Sequence, residues 1–557
     1  MTKKNWPILI SKNVLLISIL ALTFFVYELA IRAPIFTDEV SYKILFSRYF
    51  LDNHISITEL PQCRSEFTYT RPKIFFVFWY LESLIYGDLT NLLKIRVGSI
   101  LYLAICFYLL FLITDLSIRD TPNWTKVKSW IWVLCLYSLG ISPFFMILNR
   151  PEMPILIFLL SITLILIISS LQEHRDLSWL IWTKFVYFIC VVGMYFYHPK
   201  TLFFTPLLLL VGWVAFHKPI YKIGTIFFSI YVATQAFIFT KYRTECPLDL
   251  QLNKRLKEDV ICQIDAIYHL QATFLRLIKN LLATSSGIRD IGFSGGHTWS
   301  YFPNLGSNGL IQNPVTATLF KVWNYSFYLF MIFLLCQIIR SLIFSLRSIC
   351  LKFNFEVQKT FFTVLVFTLI TLSAFTNRKV FYNNTLILPV FFLCATLAIK
   401  QLPKKSKNWT VKLLFRMIVM LFISSSILFL SSYSKFRNDF QKGGEIHGIP
   451  FGVSGFKSDV INSRVQKLAL KCGIDSKTPL KHLVVDELSY PSFWKTEQPY
   501  LALFMFWVET DAKENGIENF LKSRKSSGFI GVCRYLPPQL QMKAQKDQEF
   551  CCLPAFN

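Results

Sequence analysis

Long unbroken runs of apolar residues alternate along this chain with short polar and basic turns. A helix of about 20 apolar residues crosses a bilayer. On that measure, runs near 13–33, 96–115, 128–148, 152–171, 177–195, 200–216, 221–240, 321–345, 360–376, 383–400 and 411–432 predict about eleven spans. A shorter stretch, Ile74–Gly87, carries Glu82 and predicts an interfacial helix. Beyond the last span the pattern changes. Lys481–Asp486 and Gly528–Cys533 predict buried strands, and helical periodicity returns over 459–471 and 512–524. The expected architecture is a polytopic α-helical membrane protein over residues 1–432, followed by a small α/β domain over 433–557.

Composition sharpens this. With 54% hydrophobic and only 16% charged residues, the chain is neither disordered nor an ordinary soluble enzyme. Lys+Arg exceed Asp+Glu by 58 to 33, a formal net charge of +25. Placement explains most of the excess without any nucleic-acid partner. If Lys3, Lys4 and Lys12 are cytoplasmic, the following inside loops carry Arg119, Lys126 and Lys128, then Arg175, then Lys218 and Lys222. The last two hold Arg347, Lys352 and Lys359, then Lys400, Lys404, Lys405, Lys407 and Lys412. Every inside loop is basic, as the positive-inside rule requires. An odd number of spans then leaves three large segments outside: a first loop over 34–95, a middle loop over 241–320, and the C-terminal domain. The long first apolar run argues for a retained span rather than a cleaved signal peptide.

Cys63, Cys246, Cys262, Cys472, Cys533, Cys551 and Cys552 fall outside, where an oxidising compartment allows disulfides. Cys246 with Cys262 is the expected local pair, and Cys472 with Cys533 a second. No Cys/His spacing fits a structural zinc site.

The chemistry-bearing residues cluster in the outer turns. Asp38-Glu39 follows the first span directly; Thr37 or Asp38 could cap a helix there, with Glu39 in its first turn. Arg71-Pro72-Lys73 opens the interfacial helix, with Glu66 just before it. Cations at a helix N-terminus oppose its dipole, and a bound phosphate would remove the conflict; snorkelling to headgroups is the competing account. Arg150 and Glu152 lie at the second outer turn, His198-Pro199-Lys200 at the third, and Arg378, Lys379 and Tyr382 at the last. Gly292, Gly295 and Gly296 with His297 form either a lid or an ordinary turn cluster, glycine being conformationally permissive.

Taken in order, these pieces resemble a known family. An outside Asp-Glu is followed by a basic-Pro element, by Arg96-Val97-Gly98-Ser99, and by Pro143-Phe144 with Asn149-Arg150-Pro151-Glu152. Then come His198-Pro199-Lys200 and Asn377–Tyr382 before a span containing Pro389. The arrangement resembles the GT-C membrane glycosyltransferases that use polyprenyl- or dolichyl-phosphate sugars, particularly the protein O-mannosyltransferase and aminoarabinose transferase group. It covers roughly residues 10–430. The family's Lys-Pro-Pro is Arg-Pro-Lys here, and its second-turn Asp is Glu152.

The resemblance implies a GT-C-like core in a bacterial inner membrane, with the C-terminal domain periplasmic. It implies an enzyme moving a hexosyl or pentosyl group, with inversion, from a polyprenyl-phosphate donor to a lipid A or lipopolysaccharide, lipid-linked glycan or protein acceptor. Asp38 would be the catalytic base, and Glu39 a second carboxylate for acceptor or metal. Arg71, Lys73, His198, Lys200, Arg378, Lys379 and Tyr382 would surround the donor phosphate, with Glu66, Arg150, Glu152 and His297 lining the site. A divalent cation, Mg²⁺ or Mn²⁺, could sit on Asp38 and Glu39, since such ions use carboxylates plus phosphate oxygens; no residue pattern demands one. A transporter or flippase for a lipid-linked or anionic solute, and a glycan polymerase or ligase, are the competing readings. The chain lacks the paired repeats with Gly/Pro-broken helices usual in carriers.

Overall fold

The computed structural model describes residues 6–36, 39–40, 43, 73–86, 91–171, 177–216, 218–244, 270–290, 314–352, 356–375, 384–441, 444–446, 449–453, 457–474, 483–486, 488–493, 500–502, 516–523 and 528–554. The membrane portion opens with α1 (Trp6–Arg32), a short strand β1 (Ile35–Phe36), α2 (Val77–Tyr86) and α3 (Leu93–Ile118). It continues through α4 (Lys126–Leu136), α5 (Ser142–Met146), α6 (Glu152–Leu171), α7 (Leu177–Tyr197), α8 (Thr205–Ala215) and α9 (Pro219–Thr244). The second half holds α10 (Leu270–Asp290), α11 (Pro314–Lys352), α12 (Val357–Phe375), α13 (Asn384–Lys400) and α14 (Lys404–Ser431).

Among the described residues, seven helices are long and apolar enough to cross a membrane: α1, α3, α6, α9, α11, α12 and α14. The apolar segments in α7, α8 and α13 are shorter. One expectation is corrected. The run near 128–148 forms no single helix but breaks into α4 and α5, because Gly140 adopts φ 52° and Pro143 starts a new turn.

Burial follows the logic of a lipid solvent. α13 is buried all round from Thr385 to Ile399, enclosed by α3, α6, α11, α12 and α14. Large apolar side chains such as Phe24, Phe227 and Tyr325 cover the outside of the bundle. The helix expected to be interfacial is inverted relative to a soluble one. In α2, Tyr80, Leu81, Leu84 and Ile85 are exposed, while Trp79, Glu82 and Tyr86 turn inward at helical spacing. It also starts later than the sequence suggests, after a 3-10 turn over Lys73–Phe76.

Polar contacts pair the turns of the bundle by end. Lys407 Nζ donates to the Ser117 carbonyl at 3.2 Å, joining two turns expected inside, and Arg340 of α11 donates to Ser406 Oγ at 3.1 Å. The turns expected outside meet at the opposite end, described below.

After α14 the chain forms α15 (Tyr433–Phe440) and a hairpin, β2 (Gly444–Ile446) and β3 (Ile449–Val453). β3 pairs antiparallel with β1, Ile35 against Val453 and Phe36 against Gly452, giving the sheet order β1-β3-β2. The two ends of the chain therefore share a sheet. They can do so because α1 and α14 exit side by side: Tyr433 donates to the Glu28 carboxylate, which also pairs with Arg32.

The remaining domain contains α16 (Ser458–Lys471), β4 (Leu483–Val485), β5 (Tyr500–Ala502), α17 (Ile517–Ser523), β6 (Gly528–Val532), α18 (Pro538–Lys543), β7 (Gln545–Asp547) and β8 (Phe550–Pro554). Its five-stranded sheet runs β5-β4-β6-β8-β7, with β4 parallel to β5 and β6 and the last two ladders antiparallel. Strand side chains alternate between two cores. Leu483, Val485, Ile530, Val532, Phe550 and Cys552 face one; Val484, Phe529, Cys551 and Leu553 face the other. Asp486 ends β4 and is buried, accepting from Ser489 N at 2.9 Å and Val532 N at 2.8 Å. Burial pushes its carboxyl up, against the pull of those amides.

This alternation overturns the expected Cys472–Cys533 pairing. The disulfides are Cys472–Cys552 and Cys533–Cys551, one on each face of the sheet. Adjacent strand residues point to opposite faces, so Cys551 and Cys552 cannot share a partner side. The expected Cys246–Cys262 pair lies outside the described residues. Non-reducing peptide mapping should recover the 472–552 and 533–551 links and no 472–533 link. Removing either link should lower the domain's stability by about 2–4 kcal/mol, read from thermal unfolding.

Candidate functional site

The outer end of the bundle is organised by a charge inside a helix. Arg96 is the fourth residue of α3 and only 2% exposed. Its Nη1 donates to Glu39 Oε2 at 2.6 Å and to the Ile147 carbonyl at 3.1 Å. Nη2 donates to the carbonyls of Pro34 at 3.0 Å and Ala33 at 3.4 Å. One guanidinium thus holds the exit of the first span, the acidic segment and the second outer turn. Its planar fork of donors suits such a hub, which a lysine could not replace. Glu39 is fully buried and also accepts from Asn149 N at 2.7 Å.

Asn149 extends the network. Its Nδ2 donates to the Tyr86 hydroxyl at 2.8 Å and the Ile95 carbonyl at 2.9 Å. The Tyr86 ring presses so closely on α3 that a Cβ at Gly98 would lie 1.4 Å from its hydroxyl. Burial, then the Glu82 charge, pushes the Tyr86 phenol up, so it stays protonated.

A second buried pair lies beside the first. Glu39, Val40 and Lys43 are helical, so Glu39 and Lys43 stand one turn apart on the same face. Lys43 pairs with Glu82 of α2, and its ammonium lies 4.8 Å from the Tyr86 ring centroid. Burial presses the Lys43 ammonium below the ordinary lysine value, and Glu82 opposes this. Glu82 also accepts from Tyr102 at 2.5 Å and Tyr197 at 2.9 Å. Its place in an apolar run is thereby explained: four elements share one carboxylate.

The third cluster joins residues singled out from the sequence. Glu152 begins α6, where a carboxylate favours the helix dipole. It accepts from Arg150 Nε at 3.3 Å and Lys200 Nζ at 3.2 Å. Lys200 belongs to a 3-10 turn over Pro199–Phe204 that His198 caps, its Nδ1 accepting from Lys200 N at 3.1 Å. That bond assigns the neutral imidazole's proton to Nε2, leaving this nitrogen as the donor. Two cations against one carboxylate leave the Arg150–Glu152–Lys200 group with one net positive charge before His198 is counted.

Arg150, Glu152, His198 and Lys200 are therefore brought together, and Asn149 links them to Glu39. Asp38, Glu66, Arg71, His297, Arg378, Lys379 and Tyr382 lie outside the described residues, and Lys73 is described in backbone alone. The approach to 376–383 is nonetheless fixed: Phe375 lies 5.6 Å from Phe203 of the His198–Phe204 turn, ring to ring. Asn280 of α10 donates to the Ala374 carbonyl at 2.8 Å, tying the middle loop's helix to the same end.

Glu39, expected as a catalytic or metal-binding carboxylate, has one oxygen engaged by the Arg96 guanidinium and the Asn149 backbone amide. Among the described residues no group of three His, Cys, Asp or Glu is placed to hold a metal. Sequence reasoning missed Arg96, Lys43 and Asn149 as site-building groups. The signal for Arg96 was present, since an ionisable residue inside an apolar run is expensive unless it has partners.

No protein-family model matches the sequence, and no curated protein is significantly similar to it. Solved structures with a similar fold include ArnT from Cupriavidus metallidurans bound to undecaprenyl phosphate, at 10% identity and a TM-score of 0.45, covering 99% of this chain and 98% of that one. The Archaeoglobus fulgidus oligosaccharyltransferase tethered to an acceptor peptide is similar at 10% identity and a TM-score of 0.43, covering 96% of this chain and 70% of that one. Both likenesses are loose ones of fold alone.

Breaking a buried ion pair by removing one partner costs about 3–5 kcal/mol. Glu39→Gln and Arg96→Gln should each lower the thermal midpoint in detergent by that equivalent, and the double variant should lose less than the sum. Gly98→Ala should cost about 1–3 kcal/mol by overpacking, part of it recovered by Tyr86→Phe. Both are read by the same thermal melts.

Proposed function

We propose that this chain is a membrane glycosyltransferase that takes a sugar from a polyprenyl-phosphate donor and delivers it to an acceptor on the outer face of the inner membrane. The observation that carries this reading is the convergence of Arg150, Glu152, His198 and Lys200, from two separate turns, beside the segment that bears Glu39. These residues lie at one end of the bundle, where a lipid phosphate is available, rather than at the mid-depth position of an ion-coupled carrier.

In this mechanism the acceptor's O–H or N–H attacks the anomeric carbon from the face opposite the phosphate. The acceptor bond forms as the C–O bond to phosphate breaks, which inverts the centre. The acceptor proton passes to the Asp38 carboxylate, a group well suited to general-base work. The electron pair of the broken bond stays on the polyprenyl phosphate. Arg150, Lys200 and His198 Nε2 stabilise that charge, with Arg71, Lys73, Arg378, Lys379 and Tyr382 from the neighbouring turns. Glu152 keeps Arg150 and Lys200 converged while leaving a net positive charge. Glu39 serves as a positioning group through Arg96.

The two disulfides support an oxidising location for the C-terminal domain, which agrees with the expected cytoplasmic N-terminus and odd number of spans. The acceptor class follows from that side: lipid A or lipopolysaccharide, a lipid-linked glycan, or protein.

Asp38→Asn should lower transfer from labelled polyprenyl-phosphate sugars by about 10²–10⁴-fold in membranes with unchanged protein level. Full transfer by that variant would remove Asp38 from its role. A C-terminal reporter active only in the periplasm should light up; a cytoplasmic signal would put the site on the wrong side.

A further inference from the structure

We infer that the C-terminal domain is a positioning part of the site, and that the Cys472–Cys552 disulfide, unlike Cys533–Cys551, fastens it to the acidic segment; the catalytic half of this rests on the proposed glycosyl transfer. The segment from Ala33 to Val40 is held from two sides. From the bundle, Arg96 binds the carbonyls of Ala33 and Pro34 and the carboxylate of Glu39. From the C-terminal domain, β3 pairs with Ile35–Phe36, the residues directly before Thr37-Asp38.

The second hold is more than a two-residue ladder. Ile35 and Val40, 2% and 3% exposed, belong to one buried cluster with Val465, Leu468, Cys472, Ile530 and Cys552. The same cluster includes Tyr86, Leu92 and Ile95 of the bundle. Ser458, first residue of α16, accepts from Leu92 N at 3.2 Å just before α3. The domain thus packs on Ile35 before the acidic pair, on Val40 after it, and on the helix that supplies Arg96.

The two disulfides differ in what they face. Cys472–Cys552 lies in the cluster shared with Ile35 and Val40. Cys551 lies in the opposite core with Val484, Phe520 and Leu553, and Cys533 packs against that core. Opening the first loosens the wall behind the acidic segment; opening the second loosens the far side of the sheet.

The test compares full-length Cys472→Ser/Cys552→Ser with Cys533→Ser/Cys551→Ser, both purified in detergent. Amide hydrogen exchange over residues 33–43 should speed up about tenfold or more in the first variant and change little in the second. Polyprenyl-phosphate sugar turnover should fall about tenfold or more in the first, with donor KM within about twofold, as expected when a reacting group is misplaced rather than a binding group lost. Protection of α17 and β8 in the same experiment reports whether the domain is still folded. If it is not, Ser458→Ala, which cuts one bond at the same junction, replaces the variant, with faster exchange over 33–43 again expected.

Unchanged exchange over 33–43 in a folded variant overturns the inference. So does faster exchange with undiminished kcat, or an equal loss of kcat from the far-face variant. Should the unaltered chain transfer no sugar at all, the proposed function fails by itself, and the exchange comparison still decides whether the domain holds the segment.

Discussion

The outer end of this protein depends on one buried guanidinium. Removing a cation from water costs several kcal/mol, and the interior returns that only when geometry satisfies the group. Arg96 meets the condition through both Nη groups, with a carboxylate and three backbone carbonyls drawn from separate stretches of chain, and only its Nε lacks a partner. Each of those acceptors would otherwise be a buried polar group needing a partner. The cost of burial therefore acts as a specification: the exits of α1 and α5 and the acidic segment can satisfy Arg96 only in one mutual arrangement. Glu82 plays the complementary part for α2, α3, α7 and Lys43.

These two centres also account for two of the acidic residues. Glu39 and Glu82 are committed to Arg96 and Lys43, which accounts for acidic residues beside an anionic bilayer without assigning them to a ligand. Glu152 is different, since it draws Arg150 and Lys200 toward each other without cancelling both. Most of the +25 net charge falls in the loops expected inside. Among the described residues, Arg150 and Lys200 of the turns expected outside are gathered on that single carboxylate.

Much of the helical core was legible, because a run of apolar residues long enough to span has few other folds open to it. α6, α7 and α13 fall within a few residues of their expected limits. The break between α4 and α5 was not read, although Gly140 and Pro143 stood within the run, because hydropathy averages over such punctuation. In the C-terminal domain β4 and β6 were legible as apolar runs. β7, with the sequence Gln-Lys-Asp, was not, since it is an edge strand stabilised by its neighbour and not by its own side chains. At the site, Arg150, Glu152, His198 and Lys200 were found by being polar in outer turns. Arg96 and Lys43 were not: a charge inside an apolar run marked Arg96 as needing partners, but those partners lie about 40 to 60 residues away, and separations of that kind leave no local pattern of who they are.

The shared sheet joins residue 35 to residue 453 and sets a timetable. As the chain is made from its N-terminus, the acidic segment emerges early, while β3 and Cys552 follow only after α14. Contacts of such separation form late in folding, since they pay the largest loop-closure entropy. Until then the segment has Arg96 and its neighbours on one side and nothing of the C-terminal domain on the other. A chain not yet extended past residue 453 thus has the Arg150–Glu152–Lys200 cluster and Arg96 in place before the second hold on Ile35 and Phe36 exists.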